Sequence, residues 1–486
     1  MNTQVRKPEH IFDRAREWDA LVRFATADSA DVRLGIVSGR RRQGKTYLLD
    51  AAADTFGGFF FTATDSTETD SLASFGRALA SYGRGGRYAF ADWDEALERL
   101  FGAVNQGLII IDELPYLMKA SPSLPSLIQR ALGPRGYAQQ SSARLLLSGS
   151  AMSVMGHLLG GSAPLRGRAS LELIIRPFGY RDAARFWGID DPRLAVLVHS
   201  IVGGTPAYRR EFVGGDSPAS LADFDAWVLR TVLNPQLPLF REARYLLAEE
   251  VEIRDTAIYH AVLGAIASGN ATRGGIASYI GRKSTDIGHL LAVLEDSQLI
   301  TRETDPFRKG RSLYRITEPL IIFYEAVMRR EWTRLERGDT AGAWHSSQVT
   351  FLSQVVGPHF EAVCRDWARS SGAEVFGTVP GDVAAGVVPD PLRRSQIQVD
   401  AAVFAPDEPG RPRRVLSLGE AKWDKVMNPG HLERLRRARD LLAVKGYNTE
   451  QTRLTCYSGA GFDPELVDRA AGDPLIQLVG LQELYG

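Results

Sequence analysis

Lys45 and Thr46 close the run Gly39-Arg40-Arg41-Arg42-Gln43-Gly44-Lys45-Thr46, which fits the spacing G-x-x-x-x-G-K-[ST]. Glycines at both ends let a loop turn its backbone N–H groups inward. A helix that follows adds its positive N-terminus, and together they cradle phosphates. In such a loop Lys45 would reach β- and γ-phosphates and the Thr46 hydroxyl would sit on Mg²⁺, with Gly39, Gln43, Gly44 and Tyr47 completing the contacts. A second pair, Asp112 and Glu113, ends the apolar run Leu108-Ile109-Ile110-Ile111. Asp112 would hold the metal directly or through water, and Glu113 would orient a water for attack on the γ-phosphorus. A third set lies far downstream: Asp400 on one apolar run, Glu420 and Lys422 on the next, and Glu361 one turn before Arg365. Carboxylates on adjacent strands would hold one hard divalent cation, and Lys422 would orient or deprotonate a water for phosphodiester attack. The competing reading is a hairpin with an internal Glu–Lys pair.

The elements that must position these groups are legible. Leu34-Gly35-Ile36-Val37-Ser38 reads as a buried strand, and Tyr47-Leu48-Leu49-Asp50-Ala51 as the helix after the loop. Phe59-Phe60-Phe61 after two glycines, and Leu145-Leu146-Leu147, read as further strands. Ser148 and Ser150 fall at the polar end of the latter, where an inserted strand senses a γ-phosphate. Arg168, after Pro164-Leu165-Arg166-Gly167, would supply charge to the transition state, in cis or from a neighbouring subunit, or would be a solvated loop arginine. The segment Phe12 to Leu21 is an amphipathic helix that either packs on the sheet or lines an adenine pocket. From about residue 180 the pattern turns helical, broken at Gly203-Gly204-Thr205-Pro206. Residues 255–318 read as a winged helix-turn-helix, with Ser284-Thr285 capping a recognition-type helix at 286–296 and a basic wing tip at 305–311. Such a module either binds DNA or serves as a packing unit. An arginine-rich helix near 434–439 suits phosphate contacts.

Composition bounds the rest. At 486 residues the chain needs more than one core, and 44% hydrophobic with 24% charged residues is ordinary for a globular protein. Formal net charge is +0, so any nucleic-acid contact must come from local patches. Only eight lysines occur among 58 basic residues, which makes Lys45 and Lys422 more informative. Two cysteines without C-x-x-C spacing argue against a zinc site or a disulfide framework. No apolar run approaches membrane-spanning length and no signal peptide opens the chain, so a cytoplasmic protein without a membrane partner is expected.

Together the Phe12/Arg14/Glu17 segment, the 39–46 loop, the 108–113 strand, the 146–150 strand end, the 164–168 stretch and the 203–206 break resemble the archaeal-type ATPase family of the STAND-like P-loop branch. The resemblance implies an ASCE-type parallel sheet binding ATP and Mg²⁺, an arginine near the γ-phosphate and Pro206 near the nucleotide. It also implies a winged helix followed by a C-terminal module similar to PD-(D/E)xK nucleases, with Glu361, Asp400, Glu420 and Lys422 on its motif positions. Two residues depart from the family pattern: Arg166 replaces an aromatic residue, and Gln398 stands where relatives often carry Glu. The expected organisation is therefore an α/β ATPase domain at 1–180 and a helical subdomain at 181–254. A winged helix at 255–330 and a restriction-endonuclease-like α/β domain at 345–486 complete it. The expected function is an ATP-dependent switch whose C-terminal domain acts on or binds DNA, with a homo-oligomer allowed. The alternative is a regulatory ATPase whose C-terminal domain binds a partner without catalysis.

Overall fold

The apolar runs become β1 (Leu34–Ser38), β2 (Gly58–Thr62), β3 (Leu108–Asp112), β4 (Arg144–Gly149) and β5 (Ala169–Ile174). They form one parallel sheet in the order β2-β3-β4-β1-β5. The computed structural model describes residues 5–28, 33–83, 86–161, 163–248, 250, 253 and 255–486. β1 and β3 are buried along their whole length, which is why they are continuously apolar rather than alternating. Phe59, Ile109, Ile111 and Leu145 pack under Phe75, Leu97 and Phe101 on one face, while Ile110, Leu146 and Val37 meet Leu21, Leu48 and Leu49 on the other. Because β4 is inserted between β1 and β3, the carboxyl ends of the three strands meet at one edge. That edge brings the 39–46 loop, Ser150 and Glu113 together.

The helices after residue 178 do not close a core of their own. Trp187, Tyr208, Trp227 and Phe240 share one apolar cluster with Phe323, Phe360 and Tyr457, so later helices and the C-terminal sheet complete it. Helices Thr256–Ala267, Arg273–Tyr279 and Gly288–Asp296 precede an antiparallel hairpin of β6 (Ile300–Thr304) and β7 (Ser312–Ile316). The third of these helices starts later than the expected residue 286, and Ser284 and Thr285 do not cap it. Arg273 Nε donates to the Ser284 carbonyl at 2.7 Å, which fixes that segment as a turn, and the Thr285 hydroxyl donates to Asp286 instead.

The hairpin tip is not a free basic surface. Phe307 is buried in the C-terminal core, 5.8 Å from Phe404 and 6.0 Å from Tyr447 between ring centroids. The buried Asp305 carboxylate accepts from the backbone N–H of Phe307 and of Val387. Tyr447 donates its hydroxyl to the Pro306 carbonyl at 3.0 Å, and Arg308 donates to Gln396. Gly386 permits this approach, because a Cβ there would stand 2.7 Å from the Phe307 ring. The tip therefore packs against the C-terminal domain.

The C-terminal sheet has the order β12-β11-β10-β9-β8, with β8 (Asp382–Asp390), β9 (Ser395–Phe404), β10 (Val415–Lys422), β11 (Arg453–Ser458) and β12 (Ile476–Val479). β9 runs antiparallel to both its neighbours, β8 and β10, whereas β10, β11 and β12 are parallel. Helix Gly357–Ser370 covers the face of Ala401, Val403 and Ala421, and helix Pro429–Val444 covers the face of Ala402, Phe404 and Leu418. Cys364 and Cys456 are buried and free, and among the described residues no helix is long and apolar enough to cross a membrane.

Candidate functional site

The loop after β1 opens into a cleft of about 880 Å³. Gly39 (φ 153°) must be glycine, since a Cβ would stand 2.4 Å from the Ile175 carbonyl, and Gly44 (φ 84°) leads into helix Lys45–Phe56. Lys45 is buried and donates from Nζ to the Arg40 carbonyl at 3.1 Å. Burial holds its pKa below the ordinary lysine value, while the Glu113 and Asp112 carboxylates pull it back up. The Thr46 hydroxyl donates to Asp112 Oδ2 at 2.6 Å, and the Glu113 backbone N–H donates to Asp112 Oδ1 at 3.0 Å. A hydroxyl and a carboxylate in contact, beside a phosphate cradle, are a donor set that fits Mg²⁺. Glu113 lines the cleft in the left-handed region (φ 53°), a conformation that costs a non-glycine residue about 1–3 kcal/mol and clusters at functional sites.

Ser150, not Ser148, meets the carboxylate. Ser150 donates to Glu113 Oε2 from its hydroxyl at 2.7 Å and from its backbone N–H at 3.3 Å. Ser148 lies inside β4, paired with Val37, and its hydroxyl is buried without a hydrogen-bond partner among the described residues. Ser148 is still held within the paired strand, whereas Ser150 lies past its last residue, Gly149, at the carboxyl edge where the phosphate loop stands.

At the other end of the cleft, aromatic rings gather. Phe12 lies 5.3 Å from Phe178 and 5.2 Å from Phe186 between centroids, so the N-terminal segment lines the cleft rather than merely backing the sheet. Arg14 donates to the Gln43 carbonyl at 3.2 Å and stacks 4.6 Å over Phe178, clamping that segment to the phosphate loop. Arg210 stands 5.4 Å over the Tyr47 ring, and Pro206 packs 3.9 Å from the Cβ position of Gly44. Pattern and spacing do not mark Phe178, Phe186 and Arg210 as ligand-facing, and the last two fall in the helical stretch after residue 180. The aromatic Phe178 beside Pro177, just past the last strand, was the one available signal. Arg168 is exposed and lines neither this cleft nor the smaller one beside it.

The downstream set is only partly assembled. Glu420 is buried, and its Oε1 receives Lys422 Nζ at 3.1 Å and Arg434 Nη1 at 3.0 Å, while Oε2 has no hydrogen-bond partner among the described residues. Asp400 accepts from Gln398 Nε2 at 2.8 Å and from the Ala421 N–H at 2.9 Å. Burial and then the neighbouring Asp400 push the Glu361 carboxyl up to about 7. Among the described residues no three His, Cys, Asp or Glu side chains gather closely enough to hold a metal, so the expected trio Glu361, Asp400 and Glu420 is not a ready-made site. The physical reason is the sheet. Glu361 comes from the helix on one face, whereas Glu420 leans toward Arg434 on the helix covering the other.

Sheet order, loop geometry and the Thr46–Asp112 contact define a P-loop nucleotide-binding domain. No protein-family profile matches the chain. An uncharacterised protein of Methanocaldococcus jannaschii is 28% identical over 330 residues, 67% of this chain and 70% of that protein. The Walker-type ATPase PABY2304 of Pyrococcus abyssi aligns at 20% identity with a TM-score of 0.49, over 66% of this chain and 97% of its own. The Aeropyrum pernix ORC2 protein, in its ADPNP–ADP complexes, aligns at 13% identity with a TM-score of 0.39, over 68% of this chain and 97% of its own.

Proposed function

We propose that the chain is an ATP-binding and ATP-hydrolysing switch with a C-terminal nuclease-like domain that acts on or binds DNA. The observation carrying the first half is the Thr46–Asp112 hydrogen bond of 2.6 Å in the cleft where Lys45 and Glu113 converge. Lys45 and the loop N–H groups bind the phosphates, the aromatic end takes the base, and Glu113 holds the attacking water and accepts its proton. Thr46 and Asp112 would hold Mg²⁺, which offsets negative charge on the phosphates when bound. Arg40 and Arg42 of the same loop pair with Glu318 and Glu242 at 3.1 and 2.9 Å, which supports a switch: the loop touching phosphate is fastened to elements beyond the sheet. Thr46 and Asp112 would feel the metal, and Arg40 and Arg42 would carry a change in the loop outward.

For the C-terminal domain, the unpartnered buried Oε2 of Glu420, with Lys422 beside it, supports a place for a divalent cation near Asp400. A second reading, a regulatory ATPase with a non-catalytic C-terminal domain, draws support from Arg434 on Glu420 and from the hydrogen bonds already made by Asp400. The winged-helix-like unit then serves as a strut between domains, because its tip is buried. The 486-residue chain, Lys45→Ala and Lys422→Ala are incubated with supercoiled plasmid and Mg²⁺ or Mn²⁺, with and without ATP. The proposal expects cutting lost in Lys422→Ala and ATP hydrolysis lost in Lys45→Ala. Hydrolysis without cutting would select the regulatory reading, and ATP hydrolysis surviving in Lys45→Ala would refute the site.

A further inference from the structure

Phosphoryl transfer spreads charge over the three equatorial oxygens of the γ-phosphoryl group, and a guanidinium aimed there raises kcat by about 10³ to 10⁵. Sequence pointed to Arg168 for that role, yet Arg168 is exposed and away from the cleft. The loop supplies three other arginines. Arg40 turns outward to Glu318, and Arg42 to Glu242 and the Phe212 ring. Arg14 and Arg210 stand among the aromatic rings at the base end. Arg41 points elsewhere. It lines both the main cleft and a neighbouring chamber of about 480 Å³, and Glu113 is the other residue central to both walls. Its Nε donates to Ser150 Oγ at 3.4 Å, Nη2 donates to the Tyr116 hydroxyl, and the guanidinium stands 5.9 Å from the Tyr116 ring centroid. Ser150 passes the contact on to Glu113.

Resting on the ATPase reading, we propose that Arg41 is the catalytic arginine of this site, supplied in cis from the phosphate loop itself. The γ-phosphoryl group must lie between Lys45 and Glu113, and Arg41 borders that space. When the group arrives, the guanidinium turns from the Ser150 and Tyr116 hydroxyls to phosphate oxygens, a charge-assisted and stronger bond than either hydroxyl offers. The water oxygen then bonds to the γ-phosphorus and the bond from phosphorus to the bridging oxygen breaks. The electron pair stays with ADP, and the water proton passes to Glu113. ADP lacks the group that draws Arg41 away, so Arg41 stays on Ser150 and Tyr116 in the product state. The same residue therefore distinguishes the two nucleotides.

The test compares the wild-type 486-residue chain with Arg41→Ala, Arg41→Lys and Arg168→Ala. Steady-state kcat, affinity for a fluorescent ADP analogue, and trapping of ADP with aluminium fluoride are measured over a range of protein concentrations. Arg41→Ala is expected to lower kcat by about 10³-fold and abolish trapping. ADP affinity stays close to wild type, millimolar guanidinium partly restores the rate, and turnover per chain does not vary with protein concentration. Arg41→Ala turnover near wild type, or an equal loss of ADP affinity and kcat, overturns the assignment. So does a loss confined to Arg168→Ala with activity that rises with concentration, which would place the arginine in trans. If wild type neither binds nor hydrolyses ATP, the ATPase reading itself fails, and this proposal fails with it.

Discussion

Arg40 Nη1 lies 3.1 Å from Glu318 Oε2, both side chains are buried, and 278 residues separate them in the chain. Glu318 stands at the start of helix Pro319–Phe323, directly after the hairpin that anchors the C-terminal sheet. Burial raises the Glu318 pKa, and Arg40 is the chief opposing influence. A charge pair of this kind ties the phosphate loop to the far half of the molecule. Its removal from one side only leaves the other charge stranded in a dry interior.

Glu318→Gln or Arg40→Met alone should therefore cost about 3–5 kcal/mol of stability. The double substitution should cost distinctly less than the sum, because no uncompensated charge remains. Urea denaturation of the four proteins gives the coupling energy, and strict additivity would show that the pair is not energetically linked.

Glu113→Gln separates binding from chemistry. The amide keeps a hydrogen-bonding group opposite Ser150 but cannot accept the proton of the attacking water. ATP affinity should remain near wild type while kcat falls by about 10²- to 10⁴-fold. Isothermal titration beside a phosphate-release assay checks it, and a variant that hydrolyses ATP at the wild-type rate would remove Glu113 from the chemistry.

Phe307 tests the strut. Its ring is buried among Phe404, Tyr447 and Val388, so Phe307→Ala opens a cavity and should cost about 3–5 kcal/mol. The loss should loosen the C-terminal domain first, seen as faster proteolysis beyond residue 305. Unchanged proteolysis with unchanged melting would mean that the tip is held by its hydrogen bonds alone.

The two histidines between the helical region and the C-terminal domain predict a pH response. His199 Nδ1 lies 2.9 Å from His359 Nε2, and burial lowers His199 to about 4 and His359 well below its ordinary value. Both are thus neutral when folded, while the unfolded chain takes up protons near pH 6.5. A base with a depressed folded pKa contributes stability above its unfolded pKa and loses it as pH falls. Stability should decline between about pH 6.5 and 4, by about 1.4 kcal/mol per pH unit for each histidine. His359→Phe should flatten that slope in denaturant titrations at stepped pH, and an identical slope in the variant would assign the acid response to other groups.

What the sequence determined by itself is local. Residues 39–46 must form a phosphate cradle because strand, glycine loop and helix are contiguous, so the chain needs no distant partner to place Lys45 and Thr46. Leu108-Ile109-Ile110-Ile111 likewise announces a strand buried on both faces, and Asp112 and Glu113 follow at its carboxyl end by chain order alone. The tertiary structure decided the partners. It turned Ser150 rather than Ser148 toward Glu113, left Arg168 in solvent and set Arg41 on Ser150 and Tyr116 beside the cleft. It also drove Phe307 into a core formed by residues about a hundred positions later, and it set Glu361 on a helix over one face of a sheet whose strand residue Glu420 turns to Arg434 on the other. Backbone pattern is written in neighbouring side chains, whereas which polar group meets which depends on strand order and helix packing, and those are settled by burial across the whole chain.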